Sequence, residues 1–115
     1  MWIFLSGSFL SIVDKGDKSG RTLLVRGRRT GDIERVFPQA KVIEGGGNDY
    51  QYRARIDREE VATRMADEGR GIKYGNFKSS VREPDRHEAY MRVWQAMYRF
   101  QQEESKDALR SGPEA

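Results

Sequence analysis

Bulky, β-branched and aromatic residues fill positions 2–13, WIFLSGSFLSIV, with small residues at Ser6-Gly7-Ser8 in their midst. A helical period fits them poorly, and the pattern predicts one strand, or two strands bent at the small residues. Residues 14–20, DKGDKSG, form a turn cluster, after which 21–28, RTLLVRGR, restart a β pattern, so the segment reads as a hairpin. Thr30 is placed to cap a short helix over 32–37 with Ile33, Val36 and Phe37 on one side. Asp32 and Glu34 suit its first turn, and Pro38 stops it.

A second hairpin is predicted from KVIE at 41–44, the turn Gly45-Gly46-Gly47-Asn48 and YQYRARI at 50–56. The last stretch alternates, so Tyr50, Tyr52, Ala54 and Ile56 should share one face and Gln51, Arg53 and Arg55 the other. Asp57 with Glu60 resembles a capping box. It opens a helix whose stripe is Val61, Ala62, Met65 and Ala66 and whose stop is Gly69-Arg70-Gly71. Residues 72–82 read as a connector ending in one helical turn, anchored by Ile72, Tyr74, Phe77 and Val81. Pro84 opens the longest helix, to about Glu104, with Ala89, Tyr90, Val93, Trp94, Ala96, Met97 and Phe100 on one face and Arg92, Gln95, Arg99 and Gln102 opposite.

Two hairpins with intervening and following helices imply an α+β fold. An antiparallel sheet of four to five strands carries helices on one face, the long amphipathic helix serving as roof. Residues 1–104 form a single domain. Residues 105–115, which lose aromatics and gain Gly and Pro, are expected to be a flexible tail. At 115 residues the chain is long enough for one cooperative core and too short for two.

Charge changes this picture by its placement more than its size. The net charge is +3, yet residues 1–56 carry ten Lys/Arg against six Asp/Glu, while residues 57–115 carry eleven against twelve. Arginine outnumbers lysine fifteen to six, and its fork suits carboxylates and phosphates. Arg26, Arg28, Arg53 and Arg55 stand at two-residue spacing on predicted strands. With Arg29 they are the candidate binding residues, for a protein partner first and nucleic acid second. Because Tyr50 and Tyr52 alternate with Arg53 and Arg55, rings and cations should point apart, which weakens a single-strand platform.

Catalytic and metal-ligating sets are not assembled by the sequence. There is no cysteine, hence no disulfide, thiolate or Cys-based metal site. The sole histidine, His87, stands among Glu83, Asp85 and Glu88, carboxylates that helix N-termini ordinarily carry. No nucleophile elbow is present, and the Gly45-Gly46-Gly47 run is followed by Asn48, Asp49 and a strand, which suits a mobile hairpin loop better than a phosphate cradle. No cofactor, no metal and no membrane partner are therefore expected. An RNase-like toxin using Arg, Lys and Tyr ranks last among the functions. The apolar start lacks the basic flank of a signal peptide, and a cytoplasmic location is expected.

Tyr74-Gly75-Asn76-Phe77-Lys78, followed by His87, Tyr90, Met91, Val93 and Trp94, gives the spacing YxNFK…HxxYMxVW. This resembles a pattern found in short uncharacterised bacterial proteins and covers about the last third of the chain. The resemblance brings no activity and no catalytic residue. Physically, Tyr74, Phe77, Tyr90 and Trp94 are expected to close one aromatic core cluster. The resulting expectation is a small non-enzymatic interaction or inhibitor protein acting through an arginine-rich surface. Its size is that of phage or mobile-element anti-defence proteins, and a sequence-tolerant nucleic-acid binder is the alternative. An exposed edge strand offers a route to a homodimer.

Overall fold

The structure, a computed structural model, describes residues 1–45 and 49–111. Gly46, Gly47 and Asn48 of the expected hairpin loop lie outside the described residues, as do residues 112–115 of the expected tail. The chain runs β1 (Trp2–Phe4), β2 (Phe9–Val13), β3 (Thr22–Gly27), α1 (Asp32–Val36), β4 (Ile43–Glu44), β5 (Tyr52–Asp57), α2 (Arg58–Arg70), α3 (Phe77–Ser80) and α4 (Pro84–Ser111). The five strands form one antiparallel sheet in the order β1-β2-β3-β5-β4, an α+β fold. The predicted hairpins are both present, and pairing of β3 with β5 fuses them into a single sheet.

Alternation decides what the sheet buries. Ile12 faces Val25 across β2 and β3, and Val25 faces Ala54 across β3 and β5, all three being buried. On this side Ile33, Val36 and Phe37 from α1 and its exit, and Val61 from α2, complete the core. Gly27 is required at one point of close approach: a Cβ there would stand 3.3 Å from Ile33 Cγ1, so α1 could not settle as closely.

Three local expectations change. Thr30 does not cap α1. The cap position is Gly31, whose φ of 89° lies in the left-handed region that a side chain resists, and Thr30 Oγ1 instead shares a 2.6 Å hydrogen bond with the Tyr52 hydroxyl. Asp57 stands at the N-cap of α2, but its side chain makes no capping hydrogen bond. Of the α2 stripe only Val61 is buried and Met65 half-buried, because the helix meets the sheet along its first turns while Ala62 and Ala66 face solvent.

The long helix departs most from expectation. It continues past Glu104 to Ser111, and it does not roof the sheet. α1 and α2 take that place, and the described contacts that fasten α4 to the body lie near its start. There Asp32, 1% exposed, accepts Nη1 and Nη2 of Arg86 at 3.0 and 2.6 Å, together with the Phe9 amide at 3.0 Å and Arg35 at 2.9 Å. The Tyr90 hydroxyl donates towards the carbonyls of Leu5 and Ser8, 3.0 Å from each. Its ring meets Phe4 edge-on and stacks on Phe77. Phe77 in turn touches Tyr74, so the aromatic cluster holds Tyr74, Phe77 and Tyr90 as expected but has Phe4 in place of Trp94. Trp94 is 46% exposed, stacked on Tyr98 one turn along the same helix, with the Lys78 ammonium over its ring. Ile72 and Tyr74 of the connector are also exposed, and Val81 is its buried anchor.

Candidate functional site

The sheet face opposite the core carries the predicted arginines. One register row crosses all five strands on it: Trp2, Ser11, Arg26, Arg53 and Ile43. A second row holds Val13, Leu24 and Arg55. Like charges directly opposite one another repel, and Arg26 and Arg53 resolve this by reaching apart. Arg26 Nη2 donates to Ser11 Oγ at 2.8 Å over β2, and Arg53 Nη2 donates to the Tyr50 carbonyl at 3.0 Å. Arg55 donates to Thr22 Oγ1 at 3.2 Å and to the Lys15 carbonyl at 3.0 Å. All of these acceptors are neutral.

The five arginines therefore divide. Arg28 makes a two-pronged contact with Asp49 at 3.0 and 3.3 Å, and Arg29 reaches Asp85 at 2.7 Å. Hydrogen bonding to Arg28 holds the Asp49 carboxyl below the usual range, and Arg29 does the same for Asp85. Among the described residues no carboxylate lies within ion-pair distance of Arg26, Arg53 or Arg55. The Nε atoms of Arg26 and Arg53 are buried without a hydrogen-bond partner. Three guanidinium groups thus share one face without a counter-charge, while two others are already neutralised by loop and helix carboxylates.

The expected separation of rings from cations holds for Tyr52 and fails for Tyr50. A bend at Gln51 delays the start of β5 until Tyr52, so the alternation does not extend back to Tyr50. Its ring lies beneath two guanidinium groups, 4.5 Å from Arg26 and 4.1 Å from Arg28, and the residue is only 4% exposed. Tyr50 therefore supports the arginines and has no free face for a base. Trp2, 69% exposed, and Ile43, 64% exposed, stand at the two ends of the central row.

Where α4 leaves the body, a cleft of about 180 Å³ opens between Phe4, Phe9, Tyr90 and Val93. Its cations, Arg28, Arg29 and Arg86, are each engaged by an aspartate, and its volume is below the usual range of ligand pockets. His87 is half-buried on the first turn of α4, and its amide donates to the Glu83 carbonyl. Among the described residues no group of three His, Asp or Glu side chains is arranged to hold a metal ion. No described helix is long and apolar enough to cross a membrane.

Sequence reasoning missed the Asp32–Arg86 pair altogether, since its members are 54 positions apart and each has an ordinary local explanation. No protein-family profile, curated protein or solved structure matches the chain.

Proposed function

We propose that the chain is a non-enzymatic binding protein that docks an acidic protein surface on the open face of its sheet. The observation that carries this reading is the trio Arg26, Arg53 and Arg55, positioned by adjacent strands, hydrogen-bonded only to neutral groups and without carboxylate partners among the described residues. Guanidinium groups held in this way have already lost much of their rotamer freedom, so a carboxylate that meets them gains a charge-assisted contact at reduced ordering cost. Exposed Trp2 and Ile43 at the ends of the row add the mixture of aromatic and arginine that protein interfaces favour. Nucleic acid is the less favoured ligand because Tyr50 is covered, which leaves the face without a run of stackable rings.

The test is retention on immobilised poly-L-glutamate and on a single-stranded DNA oligonucleotide at about 50 mM and about 300 mM salt. The wild type should be held by polyglutamate at the lower salt and released at the higher, and the Arg26→Glu/Arg53→Glu variant should pass through at both. Failure to bind polyglutamate at the lower salt would overturn the proposal. Retention on DNA at a salt that frees polyglutamate would transfer the face to nucleic acid.

A further inference from the structure

On the core side of the sheet, α1 and α2 pack over β2, β3 and β5, and the inner face of β1 lies beside them. Alternation turns Ile3 to that side, opposite Trp2 and Phe4, and Ile3 and Leu5 both pack against the core. The connector over 71–76 runs nearby with every residue exposed. Between these segments is a cavity of about 630 Å³, whose apolar lining includes Ile3, Leu5, Val36, Met65, Ile72 and Tyr74. Val36 is buried, and Ile3, Leu5 and Met65 are half-buried, so the cavity continues the core outward. Walls of this kind shed water and gain packing when an apolar group enters.

Size and enclosure select a small molecule. The volume is within the range of ligand pockets, about 300–1,000 Å³, and the β1–β2 hairpin, α1, α2 and the connector bound it together. Two turns of a partner helix, about 10 Å across, would need more than about 800 Å³. Charge selects an anion. Arg35 and Lys73 line the cavity against a single carboxylate, Glu68. Arg35 Nη1 donates to the Gly7 carbonyl and to Asp32, both at 2.9 Å, and Asp32 is shared with Arg86. Among the described residues Nε and Nη2 of Arg35 make no hydrogen bond, which leaves one edge of the guanidinium free for a two-pronged carboxylate contact. No described carboxylate lies within ion-pair distance of Lys73, and no described cation within that of Glu68, so the lining has a surplus of one positive charge.

We infer that this cavity binds an amphipathic monocarboxylate of the medium-chain fatty acid class, its carboxylate on Arg35 and Lys73 and its alkyl chain along Ile3, Leu5, Val36 and Met65. The site is on the side of the sheet away from Arg26, Arg53 and Arg55 and does not rest on the function proposed for that face. The test is titration calorimetry of the full chain with sodium decanoate and with decylamine, each up to about 1 mM. Decanoate should bind with a dissociation constant below about 1 mM and at least about tenfold more tightly than decylamine. From octanoate to decanoate to dodecanoate, affinity should rise about fourfold at each step. That is half the full transfer effect on a logarithmic scale, about twofold per methylene, because Ile72 and Tyr74, 56% and 39% exposed, leave one side open to water. Ile72→Asp and Lys73→Glu lie on the exposed connector, so each should leave thermal unfolding unchanged and weaken decanoate binding by about tenfold or more. Ala62→Asp, on the solvent side of α2, should not alter it. No binding of decanoate at about 1 mM, or equal affinity for the three chain lengths, would overturn the inference. Tighter binding of decylamine would give the site to Glu68 and overturn the choice of an anion. Undiminished binding by Ile72→Asp would place the fatty acid elsewhere and overturn the assignment of this cavity.

Discussion

Replacing Arg86 by methionine isolates the contact that fastens α4 to the sheet. The substitution keeps an unbranched side chain of similar length but removes two charge-assisted hydrogen bonds, at 3.0 and 2.6 Å, from an aspartate that is 1% exposed. Asp32 keeps the Phe9 amide and Arg35, but it remains out of water with less than its former compensation. Removing one partner of a buried ion pair costs about 3–5 kcal/mol, and the surviving Arg35 contact places this case near 3 kcal/mol. At the lower end of the usual shift per kcal/mol for a small domain, the midpoint of thermal unfolding falls by about 12 °C. The assay is thermal and urea unfolding followed by circular dichroism, with Asp32→Asn and the double variant completing a cycle. The double variant should be less damaged than the sum of the singles, with a coupling of about 2 kcal/mol. A loss below about 1 kcal/mol for Arg86→Met, or strict additivity in the cycle, would refute the reasoning, because Asp32 would then be reaching solvent or another cation.

Tyr50→Phe should be nearly silent, because the ring that carries Arg26 and Arg28 is retained, whereas Tyr50→Ala should cost about 3–4 kcal/mol in urea unfolding through the cavity beneath the two guanidinium groups. Gly27→Ala should destabilise by about 1–2 kcal/mol and disturb α1, since its new methyl presses on Ile33; unchanged stability would show that the helix can retreat freely. Asp17 binds Thr22 and Ser19 through both side chain and amide, and these bonds hold its carboxyl far below the ordinary range. A carboxyl depressed in the folded state stabilises above its unfolded value of about 3.9 and ceases to do so as pH falls through the folded one. Asp49 and Asp85 are depressed too, so the urea midpoint should be flat from about pH 7 to 5 and decline below about pH 4. The decline should be smaller in Asp17→Asn.

What could be read from the sequence was what alternation and turn chemistry determine locally. Leu10, Ile12, Val25, Ala54 and Ile56 announce a buried face two residues at a time, and the glycine- and aspartate-rich turns separate the strands. Arg26, Arg53 and Arg55 were legible for the same reason, as the outward members of the same period. Tyr50 was not, because a single bend at Gln51 reverses the side on which it emerges. Asp32 looked like a residue placed for the helix dipole. An acid at that position has the same sequence signature whether it is solvated or buried under Arg86, and only the fold brings the two together. The stripe on α4 shows that amphipathicity reports a face to be covered but not the surface that covers it. The composition fits a roof as well as it fits a projecting arm.

The brevity of the outermost strands has a consequence of its own. β1 has three residues and β4 two, and β4 gives way to Gly45 in the left-handed region. A foreign strand arriving alongside either would find only two or three residues to zip against, too few to hold it in water. Edge strands this short blunt pairing at β1 and β4, while the arginine-bearing side of the sheet stays broad.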